Sequence, residues 1–129
     1  MTHFDAVVIG AGAAEWLGSI MANKVPKAGR MTLTPMLNER GKLIGDFTLA
    51  NLGAEGWFII GSGLAEEYHL RWFTQHLPED GSAQLTSETA TMAGLAIAGP
   101  RSRELLARLT HEPVDNASFR YMDIRRMAV

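Results

Sequence analysis

Apolar residues follow two rhythms along this chain, a period of two through its middle and a helical spacing on either side. In residues 43–52, Leu43, Phe47 and Leu49 take one side of an alternating pattern and Ile44, Asp46 and Thr48 the other, as in a half-buried strand. Residues 31–37 form a second strand, and Pro35, with no amide to give to a ladder, confines it to an edge or a bulge. Residues 38–42 carry the polar and glycine chemistry of a hairpin loop, so the two strands pair directly. A turn at residues 53–56 leads to a third strand, 57–60, whose unbroken apolar run predicts burial on both faces.

Helical spacing brackets this hairpin. Trp16, Leu17, Ile20 and Met21 predict a short helix over 15–23, stopped before Pro26 and followed by a basic loop at 24–29. Ala65, Tyr68, Trp72, Phe73 and His76 recur mostly at i, i+4 and predict a helix over 64–76. The second half repeats the alternation without repeating the sequence. Residues 82–91, rich in Ser and Thr, hold a short strand, and 94–98 read as a firmer apolar strand. Pro100 suits the first turn of a helix whose buried stripe is Leu105, Leu106 and Leu109. Residues 113–118 are loop, and 119–129 are a last strand. The expectation is an α+β fold with helices packed on one face of a mainly antiparallel sheet.

Within this pattern Asp46 stands out, a carboxylate inside a strand on the face opposite Phe47. Two readings are open: a solvated or hydrogen-bonded strand acid, and a functional group aimed into a cavity or groove. Composition narrows the classes. A chain of 129 residues with 47% hydrophobic content suffices for one core. A net charge of −2, with basic residues scattered among acids, gives no basis for nucleic-acid binding. Cysteine is absent, which excludes disulfides and thiolate metal sites. His3, His69, His76 and His111 lack paired ligand spacing, so no metal is expected. No apolar run reaches the roughly 18–20 residues of a membrane span, and a cytoplasmic location is the default expectation. Seven methionines read as core filler.

The first fifteen residues differ in character. Residues 4–14 (Phe-Asp-Ala-Val-Val-Ile-Gly-Ala-Gly-Ala-Ala) resemble the opening strand and phosphate loop of an FAD-binding Rossmann domain. Glu15 occupies the third glycine position, and no second strand ending in an acid follows about twenty residues on. FAD binding is therefore not expected. The reading is a remnant of a Rossmann first strand over 1–15, adding to a sheet edge or staying disordered, joined to a second unit over 16–129.

That second unit resembles the folate-binding domain of the glycine-cleavage T-protein (aminomethyltransferase) family, as carried at the C-terminal end of dimethylglycine and sarcosine dehydrogenases. The blocks that carry the likeness, in order, are Met-Ala-Asn-Lys-Val-Pro at 21–26, Gly-Arg-Met-Thr-Leu-Thr-Pro-Met-Leu-Asn at 29–38, Tyr-His-Leu-Arg-Trp at 68–72 and Ala-Ile-Ala-Gly-Pro-Arg-Ser-Arg-Glu-Leu-Leu at 96–106. The resemblance implies that tetrahydrofolate accepts a one-carbon unit from a small N-methyl amine-derived donor. Asp46 aligns with the acid that takes the proton of the reacting folate nitrogen or holds the developing cation. Gly45 stands where many T-proteins carry a second acid. Asn38 and Thr48 flank the implied site, Tyr68 is a further pocket candidate beside His69 and Trp72, and Arg101, with Arg103, is a candidate for the glutamate tail of folate. Turn, packing and solvated roles remain open for each of these, as for Arg125 and Arg126.

In the family, a Tyr-Thr-Gly-Glu type segment and further strands supply part of the pterin pocket beyond the position of Val129. The expectation is accordingly an incomplete site and little activity alone. Two function classes follow: a one-carbon transfer module, working with a flavin dehydrogenase subunit or a second copy, and a noncatalytic α+β fragment that self-associates. The strand edges expected to mediate a homo-oligomer are 4–9 and 124–129.

Overall fold

A computed structural model describes residues 3–129. Five strands form one sheet in the order β2-β3-β4-β1-β5: β1 His3–Ile9, β2 Met31–Leu37, β3 Leu43–Asn51, β4 Trp57–Ser62 and β5 Gln84–Ser87. Every neighbouring pair is antiparallel. Three helices complete the fold, α1 Ala13–Ile20, α2 Glu66–Gln75 and α3 Ser102–Leu109. The arrangement is α+β, with the core on one side of the sheet.

Strand alternation decides which side. Phe4, Ala6 and Val8 of β1, Phe47 and Leu49 of β3, and Ile59 of β4 point together toward Ala13, Trp16 and Leu17 of α1 and Phe73 of α2, and all are buried. Phe73 sits centrally, its ring centroid 5.4 Å from Phe47, 6.2 Å from Phe4 and 6.2 Å from Trp16. Trp16 buries its ring yet keeps its Nε1–H satisfied by donating to the His76 carbonyl at 2.6 Å, which ties α1 to the end of α2. The other face of the sheet has no helix of this core over it.

The hairpin of β2 and β3 forms as its pattern predicts. Asn38 closes the loop, its Oδ1 accepting from the amides of Arg40 and Lys42. Pro35 lies opposite Asp46 on β2, an edge strand with a register shift between Met36 and Leu37. Helix α1 begins at Ala13, two residues before the predicted start, and α2 begins at Glu66 after a 3₁₀ turn over Gly63–Ala65.

Five expectations are corrected. Residues 4–9 are not a sheet edge: β1 lies between β4 and β5, and Phe4, Ala6 and Val8 belong to the core. The glycines after it serve packing. Gly10 has φ +116°, and a Cβ there would stand 2.2 Å from the Ser82 carbonyl oxygen, which accepts the Gly12 amide at 2.9 Å. Strand β4 is fully buried only at Ile59, since Phe58 and Ile60 reach the second face and Trp57, on the core side, is only partly covered. Residues 94–98 form no strand and are exposed. Residues 119–129 form no strand either, meeting the sheet through one bridge, Arg30 to Asp123, supported by an Arg30–Asp123 ion pair. Finally, α3 has its predicted place but no buried stripe: Leu105 and Leu109 are about half exposed.

Candidate functional site

The second sheet face carries the even-numbered residues of β3 and β4 and the odd-numbered residues of β1 and β2. Paired positions place Leu33 beside Thr48, Thr48 beside Ile60, and Ile60 beside Asp5, while Pro35 lies beside Asp46 and Ser62 beside His3. A groove of about 360 Å³ opens here, lined by Leu33, Thr34, Pro35, Asp46, Phe47, Thr48, Ile60, Gly61 and Ser62. Its volume lies in the range of small-molecule sites, about 300–1,000 Å³. Leu33, Pro35 and Ile60 give it apolar walls, while Asp46, Thr48 and Ser62 supply polar groups.

Asp46 is on a strand and in a groove, as the functional reading expects, and it is also exposed to solvent. A carboxylate in that setting can accept a proton or a hydrogen bond from a bound molecule. Thr48 shares the groove. Asn38 does not: it lines a separate groove of about 540 Å³ with Ser19, Ile20, Leu37, Arg40, Trp72 and His76. Tyr68 lies on α2, half exposed, and lines neither. Arg101 precedes α3 and is engaged with Glu104 at 2.8 Å. Of the five site residues expected from the sequence, the groove gathers Asp46 and Thr48.

The absence of a second acid beside Asp46 has a packing reason. Gly45 faces the core, where a Cβ would come 2.7 Å from His69 Nε2 and 2.9 Å from the Phe47 ring. His69 is buried, its ring 4.7 Å from that of Phe47, with Nε2 3.3 Å from the Ile44 carbonyl and Nδ1 without a partner. Burial lowers its pKa, against the opposing pull of the Ile44 carbonyl and the Asp46 charge. The neutral ring donates from Nε2 and leaves Nδ1 as a lone pair among apolar neighbours.

Sequence reasoning missed the buried acid on this face. Asp5 is 3% exposed and pairs with His3, Nε2 to Oδ2 at 2.6 Å. Burial raises the Asp5 pKa, opposed by the charge and hydrogen bond of His3 and reinforced by the charge of Glu66. The signal was present, since residues two apart on a strand share a face. It was obscured because the segment was read as a phosphate loop. Among the described residues, no group of three or more His, Cys, Asp or Glu could hold a metal ion. No helix among them is long and apolar enough to cross a membrane.

Comparison with known proteins agrees with the α+β fold. A profile of the GCVT N-terminal domain matches residues 1–129. Mitochondrial dimethylglycine dehydrogenase of Homo sapiens is 26% identical over 122 residues, covering 93% of this chain and 14% of the human protein. An aminomethyltransferase of Prosthecochloris aestuarii is 30% identical over 105 residues, covering 80% of this chain and 29% of that one. In structure, the chain is similar to glycine cleavage system aminomethyltransferase T from Bartonella henselae, with a TM-score of 0.61 and 17% identity, over 67% of this chain and 24% of that one. The chain thus spans a seventh to under a third of the length of these relatives.

Proposed function

Because the chain belongs to the GCVT N-terminal domain family, we propose that it is a tetrahydrofolate-binding one-carbon transfer module whose open sheet face carries the site. The observation that supports this reading is the groove in which Asp46 stands as the one carboxylate among apolar walls. Bound tetrahydrofolate would supply the nitrogen that accepts the one-carbon unit. Leu33, Pro35 and Ile60 offer surfaces to a flat ring, and Thr48 and Ser62 offer hydroxyls that orient it by donating or accepting. Asp46 takes a proton at a carboxylate oxygen or holds positive charge that develops nearby, either of which a carboxylate fixed on a strand does without rearrangement.

The one-carbon donor in this reading is a small N-methyl amine-derived group, oxidised by a flavin dehydrogenase partner. A titration with 5-formyltetrahydrofolate, followed by calorimetry, tests it. Saturable binding at one site per chain supports the module, and no heat at millimolar ligand overturns it. Self-association is the second reading, favoured by exposed apolar side chains at Leu64, Leu95 and Tyr121. With β1 inside the sheet, a dimer would have to use the outer strands β2 or β5. Light scattering decides this, since a mass constant at 14.1 kDa across concentration excludes it.

A further inference from the structure

We propose that two facing turns at the outer edge of β2 form a binding groove for a small phosphorylated molecule, sharing no lining residue with the Asp46 groove and independent of the folate reading. Residues 27–30 and 120–123 each make a tight turn. The Arg30 amide donates to the Lys27 carbonyl at 3.0 Å with Gly29 at φ +76°, and the Asp123 amide donates to the Arg120 carbonyl at 3.0 Å with Met122 at φ +64°. Turns of this kind bring the first and fourth Cα atoms within about 7 Å, so Lys27 stands beside Arg30, and Arg120 beside Asp123. The turns are then fastened to each other. The Met31 amide donates to the Met122 carbonyl and the Ile124 amide to the Gly29 carbonyl, both at 3.0 Å, on either side of the Arg30–Asp123 bridge.

Between the turns opens a groove of about 560 Å³, lined by Lys27, Ala28, Arg30, Arg120 and Tyr121. Every charged residue of its lining is a cation, in a chain whose net charge is −2. Asp123 is outside the lining and only 16% exposed; it accepts from the Arg30 guanidinium and, at 2.6 Å, from the Arg120 amide, with Arg120 Nε 3.7 Å away. One carboxylate thus orients two guanidiniums and neutralises one of three positive charges. Lys27 enters no ion pair among the described residues, and each guanidinium keeps N–H groups that Asp123 does not take. The next cations along the chain are engaged elsewhere, Arg125 with Glu112 at 3.7 Å and Arg126 with Glu55 at 2.5 Å.

Charge and shape identify the occupant. Two positive charges in excess match a dianion, and an ammonium with two planar guanidiniums offers donors to the several oxygens of a phosphate, which arginine forks bind bidentately. The groove has room for more than phosphate alone, and Tyr121, 83% exposed, presents ring surface to an organic part. Lys27 and Arg30 precede β2, whereas Arg120 and Tyr121 follow α3. A ligand held by both sides therefore also fastens the terminal segment to the outer edge of β2, since binding to the docked arrangement alone stabilises it.

The test titrates inorganic phosphate into the intact chain at constant pH and ionic strength, with ¹⁵N NMR of the backbone amides as the readout. Saturable shifts at Ala28, Arg30 and Tyr121, with Thr48 and Ser62 unmoved, support the site whatever the folate titration gives. Lys27→Gln and Arg120→Gln, both at exposed positions, should each weaken binding by about 10-fold, the loss of one charge-assisted hydrogen bond. Arg108→Gln, exposed on α3, should leave it unchanged. Shifts that fail to saturate, or an equal loss in Arg108→Gln, mean diffuse attraction to surface charge and overturn the site. Phenyl phosphate should bind more tightly than inorganic phosphate and lose that advantage in Tyr121→Ala; equal affinities in the wild-type chain overturn the placing of the organic part along Tyr121. Citrate binding more tightly than either phosphate at the same residues overturns phosphate as the occupant.

Discussion

The two faces of the sheet are built from the same strands to opposite ends. On the closed face, Phe4, Phe47, Leu49 and Ile59 interlock with Trp16, Leu17 and Phe73, and burial holds the pKa of the His69 imidazole down. On the open face, the intervening residues of the same strands include the groove-lining Asp46, Thr48 and Ser62 and the His3–Asp5 pair. The period of two thus divides the labour: adjacent residues Asp46 and Phe47 belong to different machines. Substitutions on the closed face should register as stability, and substitutions on the open face as binding and chemistry.

The largest effect expected is at Phe73. Its side chain is fully buried against the rings of Phe4, Trp16 and Phe47, and Phe73→Ala removes the contact that joins α2 to both β1 and β3. The loss should be about 3–5 kcal/mol by chemical denaturation, enough to leave such a small domain barely folded. Next comes Gly45→Ala. The added Cβ meets His69 Nε2 at 2.7 Å and the Phe47 ring at 2.9 Å, and overpacking of this kind costs about 1–3 kcal/mol. If Gly45→Ala proved neutral, the close contact of β3 with α2 would be wrong, and the division between the faces with it.

How much of this could be read from the sequence differs along the chain. Through residues 31–76 the hydrophobic period, Pro35 on an edge strand and the hairpin loop all appear where local chemistry demands them. There the core partner of each strand is near in sequence, so pattern and packing agree. After residue 88 they part. Residues 94–98 have the composition of a strand, but no ladder partner meets them, and Leu105 and Leu109 keep helical spacing without an apolar surface to bury against. Periodicity reports a face that wants covering; it does not report whether a cover exists. Asp46 was legible because a charge interrupts a strand pattern. Asp5 was not, because its burial depends on β4, β5 and the turn at Thr89, all distant in sequence.

A smaller effect, seen only as pH changes, tests the neutral ring on the closed face. The folded-state pKa of His69 is lowered by burial, so below an unfolded pKa of about 6.5 the unfolded chain binds a proton that the folded chain resists. Stability from this group is full above that value and is lost as pH falls through it toward the folded pKa. His69→Phe should therefore flatten the fall in denaturation midpoint between pH 7 and 5. Asp5 gives the opposite slope at lower pH. Its raised folded pKa means the folded chain holds a proton longer, so its contribution declines as pH rises from about 3.8 through the folded value. A wild-type profile that climbs steadily from pH 5 to 7 and loses that climb in His69→Phe would assign the acid sensitivity to the closed face.

The smallest effect on stability is expected where the largest effect on chemistry is placed. Asp46 is exposed, enters none of the ion pairs among the described residues, and its side chain accepts no hydrogen bond there that Asn would lose. Asp46→Asn keeps the shape of the side chain and removes its charge, so the denaturation midpoint should shift by no more than about 0.5 kcal/mol. Under the proposed function, one-carbon transfer with a flavin dehydrogenase as donor source should fall by about 10²–10⁴-fold, the usual contribution of a positioned acid or base. Equal loss of stability and transfer would make Asp46 a structural residue of the sheet. Unchanged transfer at unchanged stability would move the chemistry out of this groove. Only a folded, ligand-competent and inactive variant is consistent with two faces that answer to different demands.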